Sequence, residues 1–166
     1  MDLRSAQQPL KDAYRADPKA ARITLTARGS ANDAPVSCSV DLGRAIYEAQ
    51  AHAGVGGAGT AACSGDLLLG ALAACAQLTC QMVATSMGLP VRSIETTVEG
   101  DLDLRGTLGL DRDVGAGFQR IRVRFAVDAP KASDEQIESL LAKTERYCTV
   151  AQTLLAPPMM DIALAR

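Results

Sequence analysis

Tryptophan is absent from this chain, and its other aromatics amount to three Tyr and two Phe. Proteins that hold single strands of nucleic acid stack bases on such rings, so that task is disfavoured. A surplus of positive charge is missing too: 17 basic and 19 acidic residues, interspersed, leave a net charge of −2. Neither nucleic acid nor an anionic membrane surface is an expected partner. Histidine occurs once, at His52, in a segment without a nucleophile signature, which removes most Ser-His-Asp and Cys-His schemes. No Cys-x-x-Cys is present, although regular cysteine spacing is what structural zinc sites use, so no metal or other cofactor is expected.

Long hydrophobic runs are also scarce. The longest, from Leu67 to Leu78, is interrupted by Gln77 and falls short of the roughly 20 apolar residues of a membrane span, so it reads as a buried core helix. The opening Met1-Asp2-Leu3-Arg4-Ser5 lacks the apolar stretch of a signal peptide, and a cytoplasmic location is the expectation.

What the chain does have is apolar bulk and thiols. With 48% hydrophobic residues among 166, it is long enough for one domain with a sizeable core, here residues 1–166. Five cysteines, an odd number, argue against a structural disulfide framework and for reduced thiols.

Periodicity gives the order of elements. Leu10, Ala13 and Tyr14 have helical spacing within residues 3–14, and Asp17-Pro18 ends that segment. Residues 22–28 alternate as a strand, Asn32-Asp33 marks a turn, and Val36, Cys38 and Val40 alternate again, which suggests a hairpin. Between 44 and 62 the composition turns to Gly and Ala. A phosphate cradle there would need the Lys and Ser/Thr of a P-loop, which are absent, so a flexible connection or lid is the preferred reading.

A long helix then runs from about Gly65 to Met87, with Ser64 as its expected N-cap and Gly88 and Pro90 as its stop. It carries no charge after Asp66 and is apolar nearly all round, so other elements must enclose it. Strand character follows over 91–104 and, most clearly, over 118–127, where Ile121, Val123, Phe125 and Val127 oppose a row of arginines. Ser133 to Gln136 is a capping box opening a further helix, Cys148 begins a short one, and 159–164 suggests a last strand. Strands, long helix, strands, helices and strand, in segregated order, describe an α+β protein.

Two of the five cysteines have informative surroundings. A free thiol is only a few per cent ionised at neutral pH, and a working nucleophile needs a cation or a helix N-terminus beside it. Cys148 has such a terminus in its own helix. Cys75, in mid-helix, has none and would need an arginine brought in by the fold, and a lone Cys on an apolar helix is more often a small core residue. Cys80 lies five residues after Cys75, about 140° round the helix, and reads as core, as do Cys38 and Cys63.

The stretch Leu67-Leu68-Leu69-Gly70-Ala71-Leu72-Ala73-Ala74-Cys75 resembles the long-helix motif of the OsmC/Ohr family, the osmotically inducible protein C and organic hydroperoxide resistance proteins. Cys148-Thr149-Val150-Ala151-Gln152-Thr153-Leu154 is similar to its second cysteine motif, and the Glu99 to Gly106 segment and Pro9 to Arg15 also fit. The resemblance implies an α+β OsmC-like fold in which a long buried central helix is enclosed by antiparallel sheets of an intertwined homodimer. It also implies an antioxidant activity, the reduction of organic hydroperoxides without metal or flavin. In that scheme Cys75 attacks the peroxide, Cys148 resolves the oxidised sulfur as a disulfide, and an external dithiol such as a lipoyl group resets the pair. A thiolate-activating network would involve Asp66, where the family often has Glu, with Arg28 or Arg44. Thr149 stands where the family usually has Pro. The alternative is a non-enzymatic OsmC-like dimer that binds a small apolar ligand or senses oxidants through the same pair.

Overall fold

The computed structural model describes residue 16, the strand backbone at 28–31 and 37–41, and residues 46–165, with continuous side-chain detail from 48 onward. The helix expected within 3–14 and the strand residues 22–27 lie outside the described residues. The described chain falls into two compact units, Met1–Leu67 with Leu102–Gln119, and Leu68–Asp101 with Arg120–Arg166.

In the first unit, β1 (Arg28–Ala31), β2 (Ser37–Asp41) and β3 (Ile46–Gln50) form an antiparallel sheet in that order. β1 and β2 pair across the turn position read from the sequence, with Arg28 opposite Asp41 and Ala31 opposite Cys38. β3 corrects the reading of 44–62 as a flexible connection. Its residues pair with all of β2, from Ser37 opposite Gln50 to Asp41 opposite Ile46, and β-sheet context overrides the weak local signal. The glycines beyond it are tied down as well. His52 Nδ1 accepts the Gly54 N–H at 3.0 Å, a 3-10 turn covers Ala53–Val55, and Gly56 closes it at a φ of 92°, where a side chain would be strained. The amides of Val55 and Gly57 both donate to the His52 carbonyl, so the N–H groups that a phosphate would need are spent inside the turn. Gln50 Oε1 accepts from the Thr60 hydroxyl at 3.0 Å and fastens the far end.

Helix α1 (Ser64–Met87) follows. Leu67 N–H donates to the Cys63 carbonyl, which puts Cys63, not Ser64, in the capping place. The cap is made in reverse: Asp66 accepts the Cys63 N–H at 2.9 Å, a carboxylate in the first turn meeting the positive end of the helix. Further on, a single helical turn, α2 (Leu104–Thr107), replaces the end of the strand expected to reach 104; Asp103 caps it by accepting the Arg105 N–H at 3.0 Å.

The second unit carries the main core. β4 (Ser93–Asp101) and β5 (Arg120–Asp128) are antiparallel, with Ile94 opposite Val127, Thr96 opposite Phe125 and Val98 opposite Val123 on one face. The other face carries Glu99 opposite Arg122 and Asp101 opposite Arg120. Arg122 binds both Glu99 and Asp101, a solvent-screened cluster that adds little to stability. α1 lies on the apolar face. Gln77, the one polar break in its long run, donates to the Ile94 carbonyl at 2.8 Å and accepts the Thr96 hydroxyl at 2.8 Å, so the interruption is a docking pin onto β4.

α3 (Asp134–Tyr147) opens with the expected capping box, Ser133 and Gln136 exchanging backbone and side-chain bonds. Its Leu140 is fully enclosed with Cys80, Val83 and Ala84 of α1, against Ile94, Phe125 and Val127. Cys80 is accordingly a core residue. α4 (Thr149–Leu155) comes directly after. Residues 157–165 hold no strand, contrary to the expectation for 159–164, and Met159, Met160, Ile162 and Leu164 are exposed. An alternating pattern specifies a strand only where a neighbouring edge accepts it, and none within the described residues does.

Candidate functional site

Cys75 lies one turn before Thr79 on α1, on the part of the helix that packs against Val98 of β4, Ile121 and Phe125 of β5, and Val150 and Ala151 of α4. Cys148 enters the same cluster from the junction of two helices. It is at once the C-cap of α3, its N–H bonded to the Thr144 carbonyl at 2.9 Å, and the N-cap of α4, whose Gln152 N–H reaches its carbonyl at 2.9 Å. Cys148 needs extended geometry to serve both ends, and it has φ −73° and ψ 104°. The two cysteines, 73 positions apart in the chain, thus meet in one apolar cluster as free thiols.

Their environments push the two thiols in opposite directions. Burial pushes the Cys75 thiol up, but the Val150 N–H, the Cys148 thiol, the Thr79 hydroxyl and the Thr149 N–H all stabilise the thiolate, and together they hold it below its ordinary value. The first amides of a helix have no partner within it, and here those of Thr149 and Val150 are turned to the sulfur of Cys75. For Cys148, burial is the leading influence and raises the thiol; the Ala151 and Val150 N–H groups oppose it, Cys75 beside it adds to it, and the balance is upward. Cys148 is 1% exposed, whereas Cys75 is partly open to solvent.

The helix terminus acts on Cys148 as expected, the Ala151 and Val150 N–H groups lowering its thiol, but burial outweighs them. The Val150 N–H, with that of Thr149, lowers the Cys75 thiol as well. Among the described residues the groups that lower the Cys75 thiol are neutral donors.

Asp66 is engaged with Cys63, whose backbone N–H holds its carboxyl below the usual carboxylate range. It precedes Cys75 by nine residues in one helix, about 13.5 Å along the axis and half a turn round, so the two side chains do not meet. Arg28 stands in β1, but its side chain, and Arg44 altogether, lie outside the described residues. The structure brings Cys75 and Cys148 together. Thr79 and the two amides were missed from sequence. The signal for Thr79 was its spacing of four from Cys75, which places both on one helix face.

Set beside known families, residues 57–163 match the family model described as OsmC-like protein. The chain belongs to the OsmC-like family. The fold is shared with an OsmC-like protein from Mycoplasma pneumoniae, at a TM-score of 0.68 and 15% identity over 81% of this chain and 89% of that one. It is likewise shared with an organic hydroperoxide resistance protein from Elizabethkingia anophelis, at 0.65 and 17% over 82% and 91%. A further organic hydroperoxide resistance protein, from Legionella pneumophila, aligns at 0.64 and 17% over 82% and 92%. No curated protein matches the chain. In this OsmC-like chain Thr149 has a consequence that the usual proline would not: proline has no N–H to give to Cys75.

Proposed function

We propose that this OsmC-like protein is a thiol-dependent peroxidase for organic hydroperoxides, with Cys75 attacking and Cys148 resolving. The observation that supports it is the paired environment just described: a partly accessible sulfur held toward thiolate next to an enclosed one held as thiol. The Cys75 thiolate attacks the outer peroxide oxygen. An S–O bond forms as the O–O bond breaks, sulfur gives up two electrons, and the leaving alkoxide takes a proton to become the alcohol. Cys148 then attacks the sulfenic sulfur; the S–S bond forms, the S–O bond breaks, and hydroxide leaves with the Cys148 proton as water. A dithiol, of which a lipoyl group is one form, returns both cysteines to thiols and is itself oxidised to a disulfide. The apolar lining from Val98, Ile121, Phe125 and Val150 favours an organic hydroperoxide over hydrogen peroxide.

Intact-mass measurement after one equivalent of cumene hydroperoxide tests the two roles. Wild type is expected to lose two hydrogens, about 2 Da, whereas Cys148→Ser gains one oxygen and is trapped by dimedone. A Cys148→Ser protein that cycles at the wild-type rate with dihydrolipoamide, with no trapped adduct, sinks the resolving role. The alternative, a one-time oxidant sensor, is separated by turnover: it consumes one equivalent and stops.

The assembly that goes with this reading is a cytoplasmic homodimer. Leu68, Leu78 and Met82 on α1, together with Met159, Met160 and Ile162, form apolar surface that a second copy would cover. By length and composition alone α1 would also suit a bilayer. Sedimentation equilibrium is expected to give twice the chain mass of 17.3 kDa in the absence of detergent; a monomer there refutes the dimer.

A further inference from the structure

Helical threonines ordinarily turn their hydroxyl back onto the carbonyl four residues earlier, because that acceptor is one turn away and always present. Three among the described residues do so: Thr85 to Gln81 at 2.9 Å, Thr144 to Leu140 at 2.8 Å and Thr153 to Thr149 at 2.8 Å. Thr79 departs from the pattern. Its hydroxyl meets the side chain of Cys75, the residue four positions earlier. Side chains on a helix lean toward its N-terminus, so the residue at position 79 covers the side chain at 75.

Thr79 is also one of the two polar residues in the buried core, at 5% exposure, and no buried side-chain polar atom among the described residues lacks a partner. A hydroxyl placed there among apolar groups would be costly unless it had a specific acceptor. We propose that Thr79 is a positioning residue for the reacting thiol, its hydroxyl donating to the Cys75 sulfur and holding that side chain toward the amides of Thr149 and Val150.

The inference rests on the reading of Cys75 as the reacting thiol. Its surroundings leave few other ways to tune it. α1, β4 and β5 present Leu72, Val98, Ile121 and Phe125 to this cluster, and α4 presents Val150 and Ala151. The titratable group that faces Cys75 from them is Cys148, itself held neutral by burial. Among the described residues the groups that lower the Cys75 thiol are neutral donors, so losing one of them is felt directly. A valine at 79 keeps the shape and removes the donor; a serine keeps the donor and removes a methyl group.

The test is the pH dependence of Cys75 alkylation by iodoacetamide in the full-length protein, followed peptide by peptide so that Cys63 and Cys80 do not contribute. Thr79→Val is expected to raise the midpoint by about one pH unit, a tenfold loss of thiolate at a fixed pH below it. Thr79→Ser is expected to stay within about 0.3 of a unit, on the reasoning that the hydroxyl and not the methyl group matters. An unshifted midpoint in Thr79→Val overturns the proposal, as does an equal shift in Thr79→Ser. If Thr79→Val does not fold, Thr79→Ala against Thr79→Ser makes the same comparison with the packing loss on the alanine side. Peroxide turnover measured on the same samples keeps the two readings apart. A wild type that alkylates with a lowered midpoint yet consumes no peroxide retires the peroxidase and leaves Thr79 in its place.

Discussion

Replacing Cys75 by serine is expected to lower the rate of cumene hydroperoxide consumption by a factor on the order of 10³ or more, since single nucleophile deletions commonly cost that much. The expectation follows from what the surroundings of Cys75 are built to stabilise. Two amides and a hydroxyl converge on its sulfur, and an alcohol in the same place stays protonated at any physiological pH, so the donors face a group that carries no charge. The pH profile of the wild type supplies the sign. If the proposed attack requires the thiolate, activity is expected to rise with pH through a midpoint below the ordinary thiol value, and so to be present where an unassisted thiol is a few per cent ionised. Stopped assays with dihydrolipoamide as reductant check both points. Turnover retained in Cys75→Ser would mean that another thiol, Cys148 or Cys63, is the one that meets peroxide.

The two cysteines were legible in the sequence, but their division of labour was legible only through resemblance. From residues alone, Cys148 had the better claim to a low pKa, because it stands at a helix start. The amides of that helix start do lower the Cys148 thiol, but burial outweighs them, and two of them lower the Cys75 thiol as well. How deeply each sulfur is buried, and whether both reach one helix start, depends on how α1 and α4 pack, and no local pattern contains that information. Asp66, read from the sequence as the acid of an activating network with Arg28 or Arg44, accepts the free N–H of Cys63 at its own helix start. That local capping needs no long-range partner and is visible in the spacing of three residues.

The regular elements were legible to the extent that their partners lay in the same stretch of chain. α1, β5 and the capping box of α3 follow directly from periodicity and caps, and they stand where expected. β3 was missed because Ile46 to Gln50 alternates too briefly to stand out, and it acquires its identity from β2. The last strand was overread for the same reason. Met159 to Leu164 has the pattern, and its exposed side chains mark a segment whose partner is not among the described residues. Strand formation is a property of a pair, so a single-chain pattern reports the capacity and not the outcome.

Leu140→Ala is expected to be the most damaging substitution for stability. Leu140 is fully buried where α3 crosses the second half of α1, walled by Cys80, Val83 and Ala84 and floored by Phe125 and Val127. Removing it takes away apolar contact on several sides, and the helices around it are held too firmly to close the gap: α1 is pinned to β4 through Gln77, and α3 is fixed at its start by the capping box. The expected cost is about 2–5 kcal/mol, a large share of the roughly 5–15 kcal/mol that keeps a domain folded. Urea unfolding checks it as a fall in the midpoint at unchanged slope, with Leu155→Ala, 66% exposed at the end of α4, as the control expected to stay within about 0.5 kcal/mol. The consequence reaches the site. Thr144, one turn beyond Leu140, donates its hydroxyl back to the Leu140 carbonyl, and its own carbonyl receives the Cys148 N–H. A loosened α3 therefore loosens the residue that presents Cys148, and the resolving step should weaken in Leu140→Ala before the protein unfolds. Sulfenic acid that lingers in that variant, detected by dimedone at temperatures below its melting transition, is the signature expected. A variant that unfolds early but resolves at the wild-type rate until then would show that Cys148 is held by α4 and not by α3.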